Sequence, residues 1–83
     1  MTTLHIDLLI ALRLAGHFGL TPDALLTHMR RGSHRNLDEP RLRKALSELS
    51  DKFFFATPFT SSTGSKRWCI TGRGEAALKE DGI

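Results

Sequence analysis

The stretch that decides the fold is LDEPRLRKALSELS, residues 37–50. Asp38 followed by Pro40 combines a capping side chain with a first-turn proline, a combination that marks the start of a helix. We expect this third helix to run to about Ser50. Its buried face is predicted from the apolar residues that recur at helical spacing, which are Leu42, Ala45, Leu46 and Leu49.

The opposite side of the predicted third helix is basic and hydrogen-bonding. It carries Arg41, Arg43, Lys44 and Ser47, with Glu48 as its one acid. Arg and Lys side chains donate to guanine N7 and O6 in the DNA major groove, and Ser contacts either class of base. Glu39 lies four residues before Arg43, so an ordinary ion pair along the helix is an equally simple interpretation of that spacing.

Two helices are predicted upstream. The first extends from Leu4 to Phe18, and the second starts with Thr21 as cap and Pro22 in its first turn and ends at about Arg30 or Arg31. The core stripe expected for the first helix consists of Leu4, Leu8, Ala11, Leu12, Ala15 and Phe18.

The first helix carries further apolar residues outside that stripe, namely Ile6, Leu9, Ile10 and Leu14. A helix that is apolar on two sides needs cover on both. It is either the central helix of the core or one side of a homodimer interface, and the second interpretation makes these four residues the interface.

A β-hairpin is predicted after the third helix. The aromatic run Phe53–Thr57 favours a strand that Pro58 confines to an edge, and residues 66–71 alternate as a second strand after a hydroxyl-rich loop. Thr71 is placed to cap a last short helix from Gly72 to about Glu80. Residues 18–20 fit a very short additional strand.

The predicted order of elements is that of a winged helix-turn-helix. It consists of two helices, a turn, a third helix, a hairpin with a basic tip and a short C-terminal helix. The expected fold class is therefore α+β, mainly α, in a single domain spanning residues 1–83. The segment WCITGRGEAAL, residues 68–78, resembles the small bacterial and phage winged-helix regulators, broadly the MarR-like and ArsR-like repressors. In that group a wing strand commonly leaves through an aromatic, an aliphatic and Thr, a Gly closes the turn, and a Leu returns to the core.

One feature departs from the compact form of this motif. The turn between the second and third helices runs about six residues, against about three to four in a compact helix-turn-helix. The fold also includes members that bind only protein, so the order of elements does not by itself establish DNA binding.

The positive charge is concentrated in one part of the chain. Residues 28–52 have a net charge of +3 and residues 53–67 of +2, whereas residues 1–27 and 68–83 each have −1. In a winged helix the turn, third helix and wing are the surfaces that meet a duplex. We therefore expect phosphate contacts from the basic residues of the turn and the wing and from neutral donors beside them, which are Arg30, Arg31, Arg35, His34, Asn36, Lys66 and Arg67.

Catalytic and metal-binding patterns are absent from the sequence. The four histidines have no pair at the spacing of a helical metal site, and Cys69 is the single cysteine. No nucleophile-base set or paired carboxylates stand out. We therefore expect no cofactor, no metal and no enzymatic activity.

The expected function is sequence-specific binding of double-stranded DNA by a homodimeric, cytoplasmic transcriptional repressor of a bacterium or mobile element. A lone cysteine suits a reducing compartment, and no apolar run approaches the ~20 residues of a membrane span. The alternative is a winged helix used as a protein-interaction module, such as a small subunit of a complex or a phage inhibitor of a host nucleic-acid-binding machine.

Overall fold

The computed structural model describes residues 1–83 and has four α-helices and one two-stranded antiparallel sheet. The chain is thus α+β and mainly helical, as expected. Its elements in order are α1 (Thr3–Ala15), α2 (Pro22–Arg31), α3 (Glu39–Ser47), β1 (Ala56–Thr60), β2 (Lys66–Ile70) and α4 (Gly72–Glu80). A 3₁₀ turn (Gly16–Phe18) follows α1, and a π-helical turn (Glu48–Lys52) follows α3.

The predicted helix starts are confirmed by side-chain caps. The Thr21 hydroxyl accepts from the Ala24 amide at 3.2 Å, and the Asp38 carboxylate accepts from the Arg41 amide at 3.0 Å. The Thr71 hydroxyl accepts from the backbone amide three residues later at 3.1 Å. Each cap satisfies an amide that the first helical turn leaves without a backbone partner.

The first helix is shorter than the sequence predicts. Gly16 adopts φ +64°, so the helical rotation stops at Ala15 and the chain continues as the 3₁₀ turn. Phe18 was expected in the core stripe, and this prediction is wrong: its side chain is 75% exposed. The change of backbone direction at Gly16 takes residue 18 off the buried side of α1.

The third helix also ends differently. Regular α3 ends at Ser47, and the π-helical turn carries the chain on to Lys52, past the predicted end at Ser50. Leu49 remains fully buried within that turn. The wider turn therefore preserves the apolar face on which the helix prediction was based.

The hairpin begins later than predicted. Phe54 has φ +59°, outside the extended region, and its carbonyl accepts a hydrogen bond from the Thr71 hydroxyl at 2.7 Å. Residues 53–55 therefore lead into the sheet, and the strand starts at Ala56.

Pro58 lies inside β1, where it faces Trp68 across the sheet. Both backbone groups of Trp68 bond on the other side of β2, its amide to the Leu20 carbonyl at 2.8 Å and its carbonyl to the Leu20 amide at 2.9 Å. Pro58 has no amide hydrogen to donate, but the pairing with Trp68 requires none, so the sheet loses no hydrogen bond at this position. The bridge at Leu20 also confirms the expected short strand there.

The core forms around α1, with Leu8, Leu9 and Leu12 fully buried. The other buried apolar side chains come from every helix and both strands, together with Leu37 before α3 and Leu49 after it. The other three helices pack on α1, and α1 and α2 also pack on β2. None of the helices combines the length and the apolar character needed to cross a membrane.

Leu9 is a correction to the predicted dimer interface. Its side chain is 0% exposed, because α1 is covered on that side by the rest of the chain, so no second molecule can reach it. The other predicted interface residues keep an accessible surface: Ile6 and Ile10 are half-buried and Leu14 is 77% exposed.

Candidate nucleic-acid interface

The outer face of α3 presents the four polar residues singled out in the sequence. Arg41, Arg43, Lys44 and Ser47 are all exposed. Successive helical residues are rotated by about 100°, so Lys44 and Ser47 lie on the crest of the helix while Arg41 and Arg43 lie on opposite flanks. The two flanks border different grooves.

The first groove lies between α3 and the hairpin, and we call it the α3–β2 groove. It encloses about 380 Å³ and brings together Arg43 and Ser47 of α3 and Lys66 of β2, beside Pro22 at the start of α2. Its apolar lining comes from Leu46 and Trp68. No Asp or Glu is among its lining residues, so two elements distant in sequence contribute basic and hydroxyl groups to one groove.

Arg43 has an intramolecular partner. Its guanidinium is paired with the Glu39 carboxylate four residues earlier, and both side chains are exposed. An exposed pair of this kind contributes only about 0.3 to 0.5 kcal/mol, so a phosphate or base edge can replace Glu39 at small cost. Lys44 and Arg41 form no salt bridge.

The second groove lies between the start of α1 and the turn that joins α2 to α3. It encloses about 810 Å³. Arg35, Asn36 and Arg41 line it, opposite the hydroxyls of Thr2 and Thr3. His34 lines it as well, so four of the predicted nucleic-acid-binding residues meet in this groove.

Two of the predicted donors, Arg30 and His34, are bonded within the chain. The Arg30 Nε donates to the Leu37 carbonyl at 2.7 Å, and the His34 Nε2 lies 2.7 Å from the Asp7 carboxylate. Both contacts stabilise the long turn before α3. Arg31, by contrast, is exposed at the end of α2.

The hairpin separates its two basic residues onto opposite faces. Lys66 pairs with Thr60 across the sheet, and Arg67 pairs with Phe59. Because side chains alternate along a strand, Lys66 shares the α3 side with Trp68, while Arg67 faces away from α3. Arg67 borders a third groove of about 320 Å³ with His17 and Phe18 of the 3₁₀ turn and Phe59 of β1.

The hydroxyl-rich tip of the hairpin is held by its own bonds. The Ser61 amide donates to the Ser65 carbonyl at 2.8 Å, and the Ser65 amide donates to the Ser61 hydroxyl at 3.2 Å. The Ser61 and Thr63 hydroxyls are 2.9 Å apart. Gly64 has φ +87°, a conformation that glycine adopts without strain, and this closes the loop.

Sequence reasoning missed the contacts by which α1 holds both ends of α3. Besides the Asp7–His34 pair before α3, the buried His5 lies with its Nε2 3.3 Å from the Glu48 carboxylate just after it. His5 Nδ1 accepts from the Thr2 amide at 3.1 Å, which leaves Nε2–H free to donate to Glu48. Partners separated by 27 and 43 residues leave no periodic signal in the sequence.

Cys69 lies half-buried on β2. Its partial burial removes solvent from the thiolate and raises the pKa of the Cys69 thiol above its ordinary value. The thiol is therefore held protonated at neutral pH and behaves as a small apolar group.

The three grooves thus differ in chemistry. The groove beside α3 is basic with an apolar floor, the groove beside the turn is polar and basic, and the groove on the far side of the hairpin is aromatic with one arginine. No protein-family model, curated protein or solved structure matches this chain.

Proposed function

We propose that the chain is a winged helix-turn-helix protein that binds double-stranded DNA, with α3 in the major groove and the hairpin as a wing on the neighbouring backbone. The observation that carries this proposal is the α3–β2 groove, where Arg43, Ser47 and Lys66 meet without an acid among the lining residues. A duplex backbone offers phosphates on both sides of a groove, which suits donors presented by two adjacent elements.

The residues take different roles in this proposal. Lys44 and Ser47 on the crest of α3, with Arg43 on the flank, read base edges. Arg31, Arg35, Arg41 and Asn36 donate to phosphates from the turn side, and Lys66 does so from the wing. Arg30 and His34 keep the turn in place through the bonds to Leu37 and Asp7.

A homodimer completes the proposed regulator. The half-buried Ile6 and Ile10 and the exposed Leu14 follow one another at intervals of four residues along α1 and form the proposed pairing stripe. We expect a two-fold dimer of this kind to recognise half-sites about 34 to 36 Å apart, which is one turn of B-DNA. The proposed biological role is that of a cytoplasmic transcriptional repressor of a bacterium or a mobile element.

Fluorescence anisotropy with labelled random and genomic duplexes tests the proposal. At low salt we expect the wild-type chain to bind, and Arg43→Ala with Lys44→Ala to weaken binding at least tenfold. The control removes the same charge elsewhere, through Lys52→Ala with Lys79→Ala, since neither lysine lines any of the three grooves. Absence of binding at low salt, or equal loss in both double variants, contradicts the proposal.

A second candidate function is a protein-interaction module. The observation that favours it is the exposure of large apolar side chains away from α3, with Leu14 77% and Phe54 57% exposed. Exposed apolar side chains of this size are available for contact with a protein partner. A chain that sediments as a monomer and has no affinity for any duplex supports this second function over the first.

A further inference from the structure

We propose that the far side of the hairpin and the 3₁₀ turn form a binding site for unpaired bases of single-stranded nucleic acid. The site is the third groove, and its aromatic and basic members are His17, Phe18, Phe59 and Arg67. It is separate from the α3–β2 groove and does not depend on duplex binding.

The first support is an exposed aromatic stack. The rings of His17 and Phe18 are stacked with their centroids 5.0 Å apart and an interplanar angle of 27°. Phe18 nevertheless remains 75% exposed, so most of its ring surface has no partner within the chain. A nucleobase extends such a stack, and base–aromatic stacking tolerates any sequence because every base has a π-face.

The second support is the way in which the backbone presents these rings. Gly16 and Gly19, with φ +64° and +69°, bound the 3₁₀ turn, and the Gly19 amide donates to the Gly16 carbonyl at 3.2 Å. A Cβ at Gly19 would lie 2.8 Å from Phe59 Cε1, so the Phe59 ring lies against the turn. The aromatic side chains are therefore held by a closed turn and a strand. This reduces the conformational entropy that the protein loses when a ligand binds.

The third support is the charge of the groove, which determines the class of ligand. Arg67 lies across the sheet from Phe59, on the same face, so a cation stands directly beside the aromatic surface. The remaining lining residues are Ser61, Ser62 and Thr63, and no Asp or Glu is among them. Aromatic faces beside a cation and hydroxyl donors match the alternating bases and phosphates of a single strand, whereas a purely apolar partner leaves these polar groups without a role.

The two nucleic-acid surfaces are distinct because of the strand alternation. Lys66 faces α3, and Arg67, the next residue, faces the aromatic groove. Substitutions in one groove therefore leave the other intact, and the two activities can be separated experimentally.

The test is fluorescence anisotropy with a fluorescein-labelled 15-nucleotide oligothymidylate at low salt. We expect binding by the wild-type chain and a loss of roughly 5- to 150-fold in Phe18→Ala, the range expected for one lost base–aromatic stack. Phe18→Trp is expected to retain binding. The matched control is Phe54→Ala, which removes another exposed phenylalanine side chain that lies outside the groove and is expected to leave the affinity unchanged.

Duplex binding measured on the same variants separates this proposal from the previous one. Phe18→Ala is expected to keep duplex affinity, and Arg43→Ala with Lys44→Ala to keep oligothymidylate affinity within about twofold of the Lys52→Ala, Lys79→Ala control. Oligothymidylate binding that depends on Phe18 without any duplex binding supports the present site and contradicts duplex recognition.

Three results overturn the single-strand site. They are absence of oligothymidylate binding at low salt, equal loss of affinity in Phe18→Ala and Phe54→Ala, and a change of sedimentation mass in Phe18→Ala that identifies a second copy of the chain as the occupant. Circular dichroism of each variant checks that the fold is retained, which the exposure of both side chains leads us to expect.

Discussion

At the scale of single residues, two neighbouring glycines show how differently one residue type is used. A Cβ at Gly74 would lie 2.2 Å from the Phe55 carbonyl oxygen and 2.8 Å from Ile70 Cγ1, whereas Gly72 has open space beside it. Gly74 thus permits the close approach of α4 to the segment before β1. The sequence indicates a strand-to-helix turn at both glycines, but only the tertiary contact distinguishes them.

This difference predicts the effect of two matched substitutions. Gly74→Ala is expected to lower the free energy of unfolding by about 1 to 3 kcal/mol, because the obstructing atom is backbone and cannot move aside freely. Gly72→Ala is expected to leave it unchanged or raise it by up to about 1 kcal/mol, since the unfolded chain loses freedom. Urea unfolding of both variants measures the difference, and equal stabilities contradict the close packing at Gly74.

The exposure of individual side chains is what the sequence predicts least well. Leu9 and Phe18 both occupy α1 or its continuation, yet one is fully buried and the other is mostly exposed, the reverse of what the stripe analysis indicated. Leu9 is covered by elements from other parts of the chain that pack on α1. The positive φ of Gly16 changes the direction of the chain, so Phe18 does not lie on the buried side of α1. Neither effect is encoded in the helical periodicity of α1.

At the scale of elements, the beginnings of helices are predictable because a cap is a local interaction. Thr21, Asp38 and Thr71 each accept from the amide three residues later, as the sequence indicated. Helix ends are less predictable. A 3₁₀ turn follows α1 because Gly16 has a positive φ, and a π-helical turn that keeps Leu49 buried follows α3. The late start of β1 likewise follows from the backbone of Phe54 and its contact with Thr71.

The cap of α3 predicts the stability of the candidate recognition element. Asp38→Ala removes the acceptor of the Arg41 amide and is expected to cost about 1 kcal/mol in the free energy of unfolding. Asp38→Ser keeps a capping oxygen and is expected to stay within a few tenths of a kcal/mol of wild type. Chemical denaturation compares the two, and an equal loss in both variants shows that the cap is not what Asp38 contributes.

At the scale of the whole molecule, the sequence located the basic surface but not its division into grooves. The charge counts placed the positive excess on the turn, third helix and hairpin, and the structure distributes those residues over three separate surfaces. That distribution depends on strand alternation and on how α1 holds both ends of α3, through Asp7–His34 and His5–Glu48. Rules based on residue spacing do not predict pairs between residues so far apart in the sequence.

The proposed dimer makes a prediction at this scale. Wild-type chain is expected to sediment at twice its 9.3 kDa mass, and Leu14→Glu to sediment as a monomer, because the carboxylate would be buried in the pairing stripe. Phe54→Glu changes an exposed apolar residue that does not belong to that stripe and is expected to leave the dimer intact. A monomeric wild-type chain, or dissociation by both variants alike, contradicts pairing through α1.

The central claim, that α3 and the hairpin contact one duplex together, is tested most directly by the salt dependence of duplex binding in Lys66→Ala. Lys66 belongs to the hairpin but lines the same groove as Arg43 and Ser47, so a phosphate that Lys66 contacts in this groove also lies beside α3. We expect the slope of log Kobs against log salt concentration to fall in magnitude by about 0.9 relative to wild type, the change for one lost phosphate contact. A slope and affinity identical to wild type would contradict the claim.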